Sequence, residues 1–239
     1  MNSEFFRYPT VTEQDRAWGL YVTGGGFVSV APKSPYPLEV HPPSYQFRWP
    51  QRRVLDEYQM FLIARGEGEF ESGAGGRRPI KRGNVAITFP GQWHRYRPVP
   101  SVGWDQYWIG FRGEIADRLL HRGLLRAELP VLDVPLDETV MRPFQRLLTC
   151  LQNDPPGAHQ LMAGSIIEIL GATLAAARAG RHPDREAEMV QQAKVLLERK
   201  SEDNPTIEAI ARQLEISGTH FRRVFKRQTG MSPYQYQLQ

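Results

Sequence analysis

One cysteine, Cys150, stands among the 239 residues of the chain, which excludes an internal disulfide and every multi-cysteine zinc site. No run of 18 apolar residues occurs, so neither a membrane span nor a membrane partner is expected. Met1 to Phe6 show no basic stretch leading into an apolar core. No secretory signal is read there, and a cytoplasmic protein is expected. Acidic residues are missing from Ser217 to Gln239, where Arg222, Arg223, Lys226 and Arg227 together equal the chain's net charge of +4. Such a local cluster is either the electrostatic footprint of a nucleic-acid partner or an ordinary solvated helix face.

Glycine and proline are scarce at one end and dense at the other. Residues 185–239 hold two of each, whereas residues 1–112 hold 11 of the 19 prolines, 13 of the 21 glycines and all five tryptophans. These residues punctuate short strands and turns, so the first part reads as all-β and the rest as helical. Tyr58–Ala64 is a buried-strand candidate, and Gly66–Phe70 reads as a turn into a second strand. Asn84–Phe89 is a third, and Glu71–Arg77 is a hairpin tip. In a fourth, Trp104, Gln106 and Trp108 share one face, because successive side chains of a strand point to opposite sides. Short strands at this spacing suggest a sandwich or barrel.

From Gly113 the period changes. Val140, Phe144, Leu147, Leu148 and Leu151 recur at helical spacing, and Met162, Ile166, Ile169, Leu170 and Leu174 repeat the pattern. Asn153–Gly157 separates the two amphipathic helices, and Pro143 is read near the first turn of the former. Their stripes exceed what one helix needs against a barrel, which points to a homodimer seam. Ala179–Asp184 then reads as a linker.

The C-terminal segment is the most specific. Thr206 precedes Ile207, Ile210, Ala211 and Leu214 on one helix face. Ser217 caps a second helix with Phe221, Val224 and Phe225 inside and Thr219, Arg222, Arg223 and Lys226 outside. Gly230 ends it, and Ser232-Pro233 starts another. Two short helices joined by a tight turn form a helix-turn-helix whose second helix enters the major groove of double-stranded DNA.

Ile207–Ser217 followed by Phe221–Tyr236, with its Phe-Lys-x-x-Thr-Gly-x-Ser-Pro-x-x-Tyr run, resembles the first helix-turn-helix of AraC/XylS transcription regulators. The helix at about Glu186–Lys200 fits the same domain. The resemblance implies that Thr219, Arg222 and Arg223 face bases, and that His220 and Lys226 face the backbone. Glu215 stands where the family usually has glycine in the turn. The family's second helix-turn-helix would follow a linker helix beginning near Gln239, so the chain reads as a truncated regulator. Tyr58–Arg112, including Gly66–Phe70, Gly83 and Pro90–Tyr96, resembles the family's cupin-like effector domain.

Metal-dependent cupins draw several histidines and a glutamate from two motifs. Here the second motif keeps His94 and the first has no histidine. One histidine cannot supply three or four ligands, so no metal, no cofactor and no enzyme are expected. A sugar offers apolar C–H faces and a rim of hydroxyls. Trp108 suits the former, and Gln106, Tyr96 and His94 the latter, with Arg52 or its neighbour Arg53 entering from the preceding strand. Arg52, His94, Tyr96, Gln106 and Trp108 are therefore the ligand-site candidates. In the family's arabinose sensor, which this domain resembles, arginine, tyrosine and tryptophan at matching positions grip the sugar, and Gln106 falls on a histidine. Trp93 and Trp104 fit core or pocket. Residues 1–16, with Phe5, Phe6, Tyr8 and Pro9, form either an arm over the pocket or a frayed terminus.

The expected architecture is α+β. A cupin-like effector-binding β-barrel spans 1–112, a helical dimerisation segment 113–180 and a partial AraC-type DNA-binding domain 185–239. The expected function is a transcription regulator sensing a small molecule, a saccharide such as a pentose being the first candidate. Its partners would be operator DNA, a second copy and, for an activator, RNA polymerase. Two alternatives stand beside it: an effector-independent regulator whose barrel is a dimerisation scaffold, and a metal-dependent cupin enzyme.

Overall fold

A computed structural model describes residues 4–37, 49, 51–180, 185–198 and 205–238. The linker read at 179–184 lies mostly outside them, as do Lys200 and Gln239. The chain divides into two compact units, Met1–Ala177 and Arg178–Gln239.

The first unit begins with strand β1 (Phe5–Arg7), a short helix α1 (Glu13–Ala17) and strand β2 (Tyr21–Val30). Strands β3 (Arg53–Val54), β4 (Tyr58–Ser72), β5 (Gly76–Lys81), β6 (Asn84–Thr88), β7 (Trp93–Pro98) and β8 (Trp104–Arg112) follow. Helix α2 (Glu114–His121), strand β9 (Val131–Asp133) and helices α3 (Glu138–Asn153) and α4 (Ala158–Gly180) complete it. All pairings are antiparallel, in the order β1-β2-β8-β4-β6-β9, with β5 and β7 also on β4 and β3 on β7.

β4 closes the barrel by belonging to both of its sheets. Its first half pairs with β6 and β8, and its second half with β5 and β7. The turn expected at Gly66–Phe70 is instead a bend within one strand. Gly66 carries it at φ 84°, where a Cβ would stand 2.1 Å from the Gly103 carbonyl oxygen. Only glycine fits such a left-handed close approach. The hairpin tip read at 71–77 is the β4–β5 turn.

Alternation along the strands sorts two cores. Tyr58, Met60, Leu62, Tyr107, Ile109 and Phe111 point outward, beneath α3 and α4, in one cluster with Phe144, Leu147, Leu148, Leu151, Met162, Ile166, Ile169 and Leu170. Phe61, Ile63, Phe70, Tyr96, Trp104 and Trp108 fill the barrel. The outer cluster corrects the assignment of the helix stripes to a dimer seam: Leu148 and Leu170 are 7% and 2% exposed, against this chain's own sheet. Gly25 of β2 makes that fit, since a Cβ there would lie 3.1 Å from both Leu148 and Leu151. Strand β9 extends the sheet beyond residue 112, the expected end of the barrel, and the helices after it belong to the barrel's unit. Asp137 caps α3, so Pro143 sits buried inside the helix rather than in its first turn.

α4 is the exception to the reading that no stretch could span a membrane. Ala158–Ala179 is long and apolar enough by length and composition, although Glu168 interrupts it. Its inner side lies in the outer core, with Met162, Ile166, Ile169 and Leu170 buried.

The second unit comprises α5 (Arg185–Glu198), α6 (Ile207–Gln213), α7 (Gly218–Thr229) and α8 (Pro233–Gln237). Thr206 caps α6 by accepting from the Ala209 N–H at 3.1 Å, and Ser217 caps α7 by accepting from that of His220 at 3.3 Å. Each satisfies a donor that a helix start leaves unpaired. Gly230 closes α7 at φ 79°. Met189, Val190, Ala193, Ile210, Ala211, Phe221, Val224 and Phe225 form one core. Glu215, in the α6–α7 turn, has φ 56°, the left-handed conformation that glycine adopts without cost.

Candidate functional site

Inside the barrel, β3 and β7 set Arg53 directly across from His94. Arg53 Nε donates to His94 Nε2 at 3.3 Å, and its Nη2 donates to Gln59 Oε1 at 2.9 Å and to the Tyr96 hydroxyl at 3.1 Å. All four residues are buried. Gln59 Nε2 reaches Glu57 Oε1 at 3.4 Å. Because His94 Nε2 accepts, its proton sits on Nδ1, which lies 3.3 Å from the Gln92 carbonyl oxygen. Burial first, and the Arg53 charge second, push the His94 pKa down to about 3, so the imidazole is neutral.

Arg52 does not enter this network. It precedes the inward Arg53 by one residue, and alternation turns it outward. There it is exposed, with its guanidinium 4.1 Å from the centroid of Trp93 on the outer face. Arg53 takes the position assigned to Arg52. Trp93 is accordingly neither core nor pocket, whereas Trp104 is core at 0% exposure.

Trp108 lies across β4 from Phe61, whose ring centroid is 4.5 Å from that of Tyr96. Gln106 sits one layer further along the barrel, between Val28 and Ile63. On the other side of Trp108 stands Tyr8, 5.8 Å away, and Gly24 leaves the room for it: a Cβ there would meet the Tyr8 ring at 2.8 Å. The N-terminal segment is therefore held, not frayed. β1 pairs with β2, and Arg7 donates to the Leu151 and Gln152 carbonyls at 3.1 and 2.9 Å. Gln59, Glu57 and Thr23 were missed by sequence reasoning. Thr23 Oγ1 is buried with no hydrogen-bond partner among the described residues, and Gly110 leaves space for it and for Glu57. Gln59 carried a signal, as a polar residue at an inward position of an otherwise apolar strand. Among the described residues, no group of three or more His, Cys, Asp or Glu could hold a metal ion.

In the second unit, Thr219, Arg222, Arg223 and Lys226 occupy the exposed side of α7, opposite Phe221, Val224 and Phe225. Arg222 pairs with Glu208 of α6, and Arg227 with Glu186 of α5. Arg223 Nη2 lies 3.1 Å from His220 Nδ1, and His220 Nε2 is 3.5 Å from Glu186.

A cupin-like barrel with a buried polar network, together with a helix-turn-helix bearing a basic outer side, defines an effector-binding unit and a DNA-binding unit on one chain. The AraC-like ligand binding domain model matches residues 33–170, and the model of bacterial regulatory helix-turn-helix proteins of the AraC family matches 201–238. The chain belongs to the AraC family. No curated protein sequence matches it. Among solved structures it is similar to YhaK of Escherichia coli, at 11% identity over 46% of this chain and 45% of that one, TM-score 0.35. The chain thus spans less than half the length of that relative. A cupin 2 conserved barrel domain protein of Salinispora arenicola is 21% identical over 51% and 87%, TM-score 0.28. A ToxT variant of Vibrio cholerae is 10% identical over 97% and 99%, TM-score 0.38.

Proposed function

We propose that this chain is a ligand-responsive, DNA-binding regulator of transcription whose barrel takes a saccharide such as a pentose. The observation that carries this reading is the buried Arg53–His94–Gln59–Tyr96 network, which lies in the same barrel interior as Trp108. Gln59 offers both a donor and an acceptor, Arg53 offers donors only, neutral His94 orients Arg53, and the Trp108 ring suits the C–H face of a sugar. Gln106 would contact the ligand from the deeper layer, and Tyr8 would cover it from the N-terminal arm. α7 would read operator DNA, with Thr219, Arg222 and Arg223 toward bases and His220 and Lys226 toward phosphates.

The regulator would act in the cytoplasm as a homodimer. α4 supplies the seam, because Leu161 and Ile167 stay 58% and 44% exposed beside Gly164 and Gly171, at which an added Cβ would meet nothing within 4 Å. An exposed run of small and apolar residues on a helix favours cover by a partner, and the barrel covers only the other side of α4. RNA polymerase would be the further partner if the regulator activates.

The scaffold reading has support of its own. Phe61, Phe70 and Trp104 are each 0% exposed, so large rings take up much of the barrel interior. A melting screen of the chain against pentoses, hexoses and uronic acids separates the two. A true ligand at 100 times its Kd stabilises by about 2.7 kcal/mol, or roughly 5–10 °C for a protein of this size. The shift should vanish in Trp108→Ala and Arg53→Met. Absence of a shift with every sugar, or shifts that survive both changes, would contradict the sugar assignment.

A further inference from the structure

The basic residues of α7 do not stand in equivalent positions. Counting 100° per residue, Arg223, Thr219 and Lys226 lie opposite the buried Phe221–Phe225 side. Arg222 flanks them toward α6, and His220 and Arg227 flank them toward α5. Each flank meets one glutamate: Glu208 in the first turn of α6 binds Arg222, and Glu186 of α5 binds Arg227. Lys226, by contrast, has no side-chain partner among the described residues. It is a free point charge, suited to a phosphate.

From this arrangement we infer that Glu208 is a positioning residue for DNA specificity. It holds the Arg222 guanidinium so that one edge is occupied by the carboxylate and the other is presented to a guanine edge in the major groove. The inference rests on the reading of α7 as the DNA-reading helix. A guanidinium has five donors in a rigid planar fork, so a carboxylate can fix its plane and leave donors for guanine O6 and N7. The tether removes side-chain freedom that a free arginine would lose on binding. The carboxylate also sets a penalty. A negative charge beside Arg222 repels phosphates, so contacts that ignore sequence weaken while the paired base contact is kept. Glu208 therefore trades affinity for any duplex against preference for one.

The pair is 52% and 59% exposed, so it adds little to folding, and changing it leaves the unit intact. The test uses the 239-residue chain. Bound duplexes are selected from a randomised pool, and affinities for the selected and a scrambled duplex are then measured at several salt concentrations. Glu208→Gln should tighten binding to the scrambled duplex about fivefold to tenfold at 0.1 M salt and steepen its salt dependence by about one charge. It should lower the preference for the selected duplex about tenfold, at the same base position that Arg222→Ala affects. The double variant should match Arg222→Ala, and Glu208→Asp should restore part of the preference. If Glu208→Gln keeps every base preference while Arg222→Ala loses one, the positioning role is wrong. If Arg222→Ala loses none, Arg222 is only a strut between helices and the inference fails. A wild-type chain that selects no sequence overturns the reading of α7 and this inference together.

Discussion

The barrel interior and the outer side of α7 both present arginine and histidine in hydrogen-bond contact, but in opposite surroundings. Arg53 and His94 are 8% and 1% exposed, within a shell of Phe61, Phe70 and Trp104. Arg222 and Arg223 stand in solvent. In the dry site an unmatched polar atom costs its full desolvation, and Arg53, His94, Gln59 and Tyr96 match one another within the network. The network thus has one geometry, set by the β3–β7 register. In the wet site, water and salt can replace any lost partner, so the Arg222–Glu208 pair weighs little in folding, and the arginine donors that Glu208 leaves open pass from water to DNA at small cost. Rigidity suits recognition of one small molecule, and exchangeability suits a polyanion reached through solvent.

The largest effect expected from this contrast lies in the helices over the barrel. Leu148→Glu places a charge in the outer core and should cost more than about 4 kcal/mol, unfolding the first unit in urea titrations. Leu161→Glu, on the open side of α4, should leave the fold intact and shift sedimentation from dimer to monomer. A folded Leu148→Glu protein would mean that α3 does not pack as described.

Next in size is the pair of adjacent arginines. Arg53→Met leaves buried acceptors on His94, Gln59 and Tyr96 without their donor and should lower stability by about 2–4 kcal/mol. Arg52→Met removes only an exposed contact over Trp93 and should cost under about 1 kcal/mol. Equal losses in calorimetry would erase the distinction between the dry network and the surface.

His94 supplies a pH signature of the dry site. Its folded pKa of about 3 lies below the ordinary histidine value of 6.5, so protons bind the unfolded chain more readily than the folded one. The stabilisation is complete above about pH 6.5 and is lost as pH falls toward 3, with a slope of about 1.4 kcal/mol per pH unit from this group. His94→Gln should flatten that part of the stability profile.

The smallest effect concerns the α6–α7 turn. Glu215→Gly relieves a left-handed non-glycine residue but gives the unfolded chain more freedom, so the second unit should gain less than about 1 kcal/mol. A loss of stability would show that the Glu215 side chain makes a contact worth more than the strain.

Legibility in the sequence followed the same division. The helix-turn-helix could be read nearly residue by residue, because its signals are local: Thr206 and Ser217 as caps, Gly230 as terminator, and Phe221, Val224 and Phe225 on one face. The β8 face of Trp104, Gln106 and Trp108 was legible from alternation alone. β2 was not, since its Gly24-Gly25-Gly26 run has no strand propensity. Those glycines serve close approach to Tyr8, to Leu148 and Leu151, and to Phe6, which only the fold reveals. Arg53 rather than Arg52 was hidden because a two-residue strand shows no alternation of its own, and pairing with β7 decides the face. The stripes of α3 and α4 were visible, but what they cover depends on the sheet beneath them.

The central claim is that occupancy of the barrel alters DNA binding by the second unit. Its most direct test is the Kd for a selected duplex, measured at fixed salt with and without a saturating barrel ligand found by melting. The account predicts a change of about 5-fold to 150-fold, mirrored by an equal change in ligand affinity when DNA is present, since coupling between two sites is reciprocal. The change should disappear in Trp108→Ala. A ligand that stabilises the barrel through Trp108 and leaves the DNA Kd unchanged would contradict it.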